Sequence, residues 1–442
     1  MDRLEAFFSG KIWLRDFTPF SEEQIERAIA KGDLLITKGI TADGHCARCL
    51  EKSPHKILSY NCAKCGSVCL YCRHCIQMGR ISSCTELISW ASPSPKLIRK
   101  HSFNWNGTLT AAQQAASSQV AKSLATKENH LVYAVCGAGK TELLFQPIFE
   151  ALQKGLRICI AAPRTDVVLE LSPRIRAIFP STTVHTLYGG APIEEGFADI
   201  VISTTHQLYR FEKAFDVMIV DEADAFPYSF DAALERAVLK AVKPDSPIVF
   251  VSATPSKKLL KAAANRSEIF RRFHGHDLPV PVFKPLWGYK KKLGRNGIPR
   301  KLAMWIEERI AKEEPFLLFL PTIELIDQSI PLFKKLDARI EAVHSKDPQR
   351  KEKVMALRNG SIPGLLTSTI LERGITIPNV QVAVAGADDM LFNASALIQI
   401  AGRAGRSNSH PTGGVTFFHD GISREMDKAK SMITFYNGRG KH

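Results

Sequence analysis

Eight of the ten cysteines in this 442-residue chain crowd between Cys46 and Cys84. They form the C-x-x-C pairs Cys46/Cys49, Cys62/Cys65, Cys69/Cys72 and Cys72/Cys75, with Cys84 following. Two thiolates three residues apart can reach one ion from a tight turn, and zinc takes four such ligands in a tetrahedron. Eight sulfurs therefore suffice for two ions. One pairing joins Cys46 and Cys49 to Cys72 and Cys75, leaving Cys62, Cys65, Cys69 and Cys84 for the second. Spacing alone does not choose among pairings, and His45, His55 and His74 are further ligands within reach. Closed thiolate sites fold segments too small to hold a core alone; redox chemistry is the competing use of such thiols.

A second group points to phosphate chemistry. Cys136-Gly137-Ala138-Gly139-Lys140-Thr141 lies between an apolar strand-like run, His130–Val135, and a helix-like stretch from Glu142 with Leu143, Leu144, Ile148 and Leu152 on its apolar positions. Strand, glycine loop, Lys-Thr, helix is the context a P-loop needs. The glycines let backbone N–H groups close around phosphate oxygens at a helix N-terminus, Lys140 reaches the β- and γ-phosphates, and Thr141 offers a hydroxyl to Mg²⁺. The usual first glycine is Ala134 here. Downstream, the apolar run Phe215–Val220 ends in Asp221-Glu222-Ala223-Asp224. Asp221 is placed for the Mg²⁺ shell, and Glu222 to orient the attacking water.

The elements that must position these residues are legible as short β-rich runs ending in polar residues: Arg157–Pro163, Asp199–Thr205 and Ile248–Thr254, alternating with helical stretches. That alternation implies a parallel, doubly wound sheet whose strand ends face the ligand. From Pro315 the pattern begins again, with Phe316–Thr322, Arg339–Ser345, Gly364–Ile370, Val380–Ala385 and Gly414–Phe418. No second P-loop follows; instead Gln399-Ile-Ala-Gly402-Arg403-Ala-Gly405-Arg406 sets two guanidiniums three residues apart on an expected helix face, suited to transferring-phosphate charge.

Lys and Arg outnumber Asp and Glu by 59 to 44, a net charge of +15 that favours a polyanionic partner. The interval from Leu278 to Ile306 holds no acid but Lys284, Lys290, Lys291, Lys292, Arg295, Arg300 and Lys301, with Trp287 and Tyr289 among them. It reads either as a solvated basic linker, extended in part by its prolines, or as a DNA-contacting segment. No apolar run is long enough to span a membrane, and the Met1-Asp-Arg-Leu-Glu start lacks a signal core. The expected location is the cytoplasm.

Ala134–Thr141, Asp221–Asp224, Ser252-Ala-Thr254 and Gln399–Arg406 together resemble superfamily 2 helicases, in family order. Cys72-Arg-His-Cys75 with Gly79-Arg80, Trp105–Thr110, Thr204-Thr-His-Gln-Leu208, Asp221–Pro227 and Leu371-Glu-Arg-Gly374 resemble, more narrowly, the late competence ComFA family. Ile400, where helicases usually carry Arg, argues against a typical DEAD-box RNA helicase. The resemblance spans roughly residues 40 to 425 and implies an α/β fold of two RecA-like doubly wound lobes after a small zinc-binding domain. The expected division is 1–99 with the zinc module at 46–84, 100–285 for lobe 1, and 286–442 for lobe 2.

The same resemblance implies an ATP site built from Gln113, Gly137, Ala138, Gly139, Lys140, Thr141 and Gly374, with Gln399, Arg403 and Arg406 completing it and Ser252 and Thr254 coupling it to lobe movement. Pro163, Arg164, Thr204, Thr205, His344, Ser345, Thr367, Ser368 and Thr369 would face the nucleic-acid backbone. ATP, Mg²⁺ and Zn²⁺ are the implied cofactors. The implied activity is a single-stranded-DNA-stimulated ATPase that pulls DNA into the cytosol during transformation. Its implied partner is a ComFC-like protein of phosphoribosyltransferase fold, and its place is the inner face of the membrane beside the uptake channel. Two readings compete: PriA-like replication restart, whose family inserts its cysteines within the helicase core, and a zinc-containing DNA adaptor without turnover, against which the intact Lys140, Asp221 and Glu222 weigh.

Overall fold

The computed structural model describes every residue except Asn296, Gly374, Ile375, Lys441 and His442; Gly374, expected at the ATP site, lies outside the described residues. Contacts divide the chain into two compact units, 1–132 with 141–267, and 133–140 with 268–442.

The first unit opens with six short strands: β1 (Ile12–Leu14), β2 (Leu34–Lys38), β3 (Ile57–Asn61), β4 (Val68–Cys72), β5 (Ile81–Ser82) and β6 (Glu86–Trp90). They form two antiparallel three-stranded sheets, in the orders β1-β6-β2 and β3-β4-β5. The first has a true core: Phe7, Phe8, Ile25, Leu34 and Ile88 are buried, with Trp13, Phe20 and Trp90 packed around them. The second, which carries the cysteines, exposes Val68 and Leu70 and relies on its sulfurs instead.

Next come β7 (His130–Ala134), β8 (Ile158–Ala162), β9 (Val184–Leu187), β10 (Ile200–Thr204), β11 (Val217–Val220), β12 (Ile248–Ser252) and β13 (Asn265–Ile269). They make one seven-stranded sheet in the order β13-β7-β12-β11-β8-β10-β9. The pairs from β12 across to β9 are all parallel. Strands β8, β10, β11 and β12 are buried at every position, so they read as unbroken apolar runs because helices cover both faces of such a sheet.

The second unit carries β14 (Val282–Pro285), β15 (Phe316–Phe319), β16 (Glu341–Val343), β17 (Gly364–Thr367), β18 (Gln381–Ala385) and β19 (Val415–His419). All five pairs in the order β14-β19-β18-β15-β17-β16 are parallel. The basic interval is therefore structured: it supplies edge strand β14, a helical turn at Tyr289–Leu293 and the start of the Arg300–Ala311 helix. Tyr289, Leu293, Leu302 and Trp305 turn into the core beside Phe316, while Trp287 and the lysines stay exposed.

Gly364 opens β17 directly opposite Phe316, and a Cβ there would lie 2.1 Å from the Phe316 ring. Neither ring nor strand has room to yield. Gly364→Ala is expected to destabilise the protein by about 2 kcal/mol through overpacking, read as a lowered midpoint in thermal or urea unfolding; an unchanged midpoint would contradict this packing.

Candidate functional site

The glycine loop after β7 is shaped by its backbone. Gly137 and Gly139 have φ of 80° and 71°, the left-handed region open to glycine. Ala138 N–H donates to Val135 O at 3.2 Å, and Lys140 Nζ donates to Ala134 O at 3.2 Å, so the ammonium is held inside the loop's own curve. The helix expected from Glu142 begins as a 3₁₀ turn, Glu142–Leu144, before the α-helix Phe145–Gln153. Gln113 is the third residue of the Ala111–Thr126 helix and closes a capping box: its Oε1 accepts from Thr110 N–H at 2.8 Å, and Thr110 Oγ1 accepts from Gln113 N–H at 3.3 Å.

Asp221 follows β11, and its N–H bonds across to Ala161 O on β8 at 2.8 Å. Glu222 takes φ of 52°, a left-handed conformation that costs a non-glycine residue on the order of 1–3 kcal/mol and clusters at functional sites. The strain turns the chain back so that Ala223 N–H reaches Val251 O on β12 at 3.0 Å. Asp224 then accepts from Ser252 Oγ at 2.7 Å and from Thr254 Oγ1 at 2.8 Å, while Thr254 N–H donates to Ser252 Oγ at 3.1 Å. The four-residue acidic segment and the Ser-Ala-Thr segment are thus one hydrogen-bonded unit. Sequence reading gave Asp224 no role of its own; its position two residues past the Asp-Glu pair was the available signal.

Within the second unit, the helix bearing Gln399 spans Ala394–Ala401, capped by Asn393 and ending at Gly402. Arg403 and Arg406 were expected on a helix face; they stand instead in the turn beyond it, because Gly402 and Gly405 end the helix and Gly405 takes φ of 64°. Arg403 and Gln399 are buried. Cys136 Sγ lies 2.8 Å from Gln399 Oε1, and a Cβ on Gly402 would come within 2.5 Å of Cys136 Cβ, so only glycine allows this approach. Arg272 is buried, donates to the carbonyls of Gly405 and Gly402, and has its pKa pulled down to about 10 by desolvation. It braces the arginine turn, yet no spacing pattern in the sequence marked it.

The expected nucleic-acid residues lie at strand ends. Thr204, the last residue of β10, is paired with Ala162 at the end of β8, so Thr204-Thr205 and Pro163-Arg164 leave the sheet side by side. In the other sheet Val343 pairs with Thr367, which places His344-Ser345 beside Ser368-Thr369 in the same way. Across the first sheet, Ser252 ends β12, whereas Asp221, Pro163 and Thr205 follow β11, β8 and β10.

The eight module cysteines fall into two sets, Cys46/Cys49/Cys72/Cys75 and Cys62/Cys65/Cys69/Cys84, each with its sulfurs within 4.8 Å of one another. Zn–S bonds of about 2.3 Å in a tetrahedron require S···S edges of about 3.8 Å. Cys46–Cys75 at 3.8 Å, Cys49–Cys72 at 3.5 Å, Cys62–Cys84 at 3.7 Å and Cys65–Cys69 at 3.3 Å fit that size. Cys69 and Cys72 divide between the sets because both lie on β4, where residues three apart face opposite sides. The first set is wholly buried, and Cys65 of the second is exposed. His45 and His74 belong to neither: His45 bonds Asp43 at 2.8 Å and His74 Nε2 lies 3.0 Å from Tyr209 OH.

Comparison with known families agrees with this layout. The competence protein ComFA N-terminal domain matches residues 1–89, the DEAD/DEAH box helicase family residues 110–262, and the helicase conserved C-terminal domain residues 300–408. The chain is 42% identical over 441 residues to a competence protein ComFA of Bacillus subtilis (strain 168), covering 98% of this chain and 95% of that one. It is 36% identical to a competence protein ComFA of Streptococcus pneumoniae, covering 85% and 90%. Among solved structures it is similar in fold to the DEAD-box helicase Mss116 bound to ssRNA, with TM-score 0.56, 18% identity and 70% of each chain covered. The Mycobacterium smegmatis helicase Lhr bound to ssDNA gives TM-score 0.55 at 18% identity, covering 76% of this chain and 50% of that one. Each parallel-sheet lobe has the RecA-like helicase architecture.

The cysteine geometry makes a metal assay decisive. Two zinc equivalents per chain are expected, with a mild chelator stripping the Cys62/Cys65/Cys69/Cys84 set first, through its exposed Cys65, and leaving one; loss of both together, or none at the outset, would refute the two-set arrangement.

Proposed function

The chain belongs to the ComFA family of competence proteins, and from that premise we propose that it is a single-stranded-DNA-stimulated ATPase that draws DNA into the cytosol during transformation. The observation that carries this is the Asp224 clamp, since a carboxylate tying Ser252 and Thr254 to the segment of Asp221 and Glu222 is what a motor needs to feel its nucleotide.

In this reading the glycine loop and Lys140 bind the phosphates of ATP, and Gln113 reads the adenine. Thr141 and Asp221 offer the hard oxygen donors that suit Mg²⁺; the bound ion would neutralise phosphate charge. Glu222 orients the attacking water, while Gln399, Arg403 and Arg406 meet the charge that develops on the transferring phosphate. Pro163, Arg164, Thr204 and Thr205 on one lobe, with His344, Ser345 and Thr367–Thr369 on the other, grip the strand in alternation.

Backbone contacts of this kind, on a chain of net charge +15, give strong salt dependence with a slope of about −0.7 per neutralised phosphate and little sequence preference. No helix among the described residues is long and apolar enough to cross a membrane. A cytoplasmic position beside the uptake channel, with a ComFC-like partner, rests on the family alone.

Turnover of the full chain measured with ssDNA, dsDNA and RNA is the direct test. ssDNA is expected to stimulate most, and equal stimulation by RNA would overturn the DNA reading. Lys140→Ala is expected to abolish turnover while ssDNA affinity stays within about twofold, because one interaction binds phosphate and the other does not. Asp224→Asn weakens two charge-assisted hydrogen bonds and is expected to lower DNA-stimulated turnover by about 10- to 100-fold; stimulation intact in that variant would remove the coupling role.

A further inference from the structure

Between β1, the cysteine module and the loop after β9, all within the first unit, lies a cavity of about 340 Å³. It is lined by Trp13, Phe17, Arg48, Met78, Ile193 and Arg210. A smaller cavity of about 130 Å³ shares Trp13, Met78 and Arg210 and adds Lys11 and Glu194. The charges here do not balance. Lys11 is 6% exposed and Arg48 3%, Arg210 is half-buried, and among the described residues none of the three has a carboxylate at ion-pair distance. Lys11 Nζ rests 4.4 Å over the Phe7 ring, and the Arg210 guanidinium 4.5 Å over Trp13. Arg48 spends its donors on the carbonyls of Met78, Cys75 and Gly79, and its buried Nε has no hydrogen-bond partner. Glu194 is the one carboxylate lining either cavity, and its Oε1 already accepts from Thr186 N–H at 2.6 Å.

Burial together with Arg157 and Arg210 drives the Lys11 pKa down to about 7, with Glu194 opposing; burial together with Arg48 lowers that of Arg210. Arg48 sits against the first sulfur set, whose zinc-bound form would carry two negative charges, so the cations left unmatched are Lys11 and Arg210; an anion would complete them, since uncompensated buried charge is otherwise destabilising. The walls supply the rest of a nucleotide's needs. Phe17 is 66% exposed and Ile193 49%, offering a ring face and an apolar patch for a base.

Position selects the ligand. Arg210 ends the 3₁₀ turn Thr205–Arg210 that begins where β10 stops, and the Tyr188–Glu194 loop begins where the neighbouring strand β9 stops. The cavity therefore borders the loop that leaves β9, the strand paired with the β10 that ends in Thr204. The cysteine module contributes through its first sulfur set: Arg48 lies between Cys46 and Cys49, and Met78 three residues past Cys75.

We propose that this cavity holds a phosphate and a base of the single-stranded DNA, so that the β1-β6-β2 sheet and the cysteine module form part of the strand's track. The proposal rests on the single-strand reading above. The test uses the full chain with a bromodeoxyuridine-substituted oligonucleotide, photocrosslinked and mapped by peptide, alongside two variants. Crosslinks are expected within Trp13–Phe17 or at Met78. Phe17→Ala is expected to weaken ssDNA binding about tenfold, the size of one lost base stack. Lys11→Met is expected to raise the thermal midpoint, because it removes a buried like charge, while weakening ssDNA binding and reducing the salt slope by about 0.7. Failure of the wild-type chain to bind ssDNA would overturn this proposal and the motor reading together. Wild-type binding with crosslinks confined to other segments, and both variants binding as the wild type does, would overturn this proposal alone and leave the cavity to an acidic peptide of a protein partner.

Discussion

Parallel pairing is the constraint on which the rest of the molecule depends. In a parallel sheet every strand leaves at the same end, so chemistry placed just past each strand collects in one row. From β12 across to β9 that row carries Ser252, Asp221, Pro163 and Thr205 in turn. The acidic and Ser-Ala-Thr segments and the Pro163-Arg164 and Thr204-Thr205 segments thereby leave neighbouring strands of one sheet. A change felt at Asp221 is one hydrogen bond from Ala161, the penultimate residue of the strand that leads to Pro163-Arg164.

Within each unit one side chain fastens separate segments together. Asp224 fastens the segment after β11 to the segment after β12 with two hydroxyl donors. In the second unit Arg272 holds the carbonyls of Gly402 and Gly405, and so sets the turn on which Arg403 and Arg406 stand. Both act on backbone or on other side chains rather than on any ligand, and both are buried or half-buried where a missing partner is expensive.

The cysteine module is not a loose appendage. Glu51 pairs with Arg236 at 3.0 Å, Lys240 donates to Arg48 O, and His74 meets Tyr209. These contacts reach the helix Ala232–Ala241 and the turn after β10, so the module is docked on the first parallel-sheet lobe. Its small sheet exposes Val68 and Leu70, and its two sulfur sets have the geometry that could hold metal ions as cross-links.

The sequence alone determined the elements and the chemistry types. Alternation of apolar runs with helices is a local property, which is why β8, β10, β11 and β12 were legible. It also pointed to a metal site for the cysteines while leaving their pairing open, because spacing along a chain carries no face. Only the folded β4 decided that, by sending Cys69 and Cys72 to opposite sides. The turn that carries Arg403 and Arg406 was misread as helix because helical periodicity continues past Gly402 on paper, whereas Gly402 and Gly405 end it in space. Asp224, Arg272 and the Lys11–Arg48–Arg210 cluster were invisible for a shared reason: their partners lie far away in the chain, and such pairings exist only once tertiary packing has brought separate elements together.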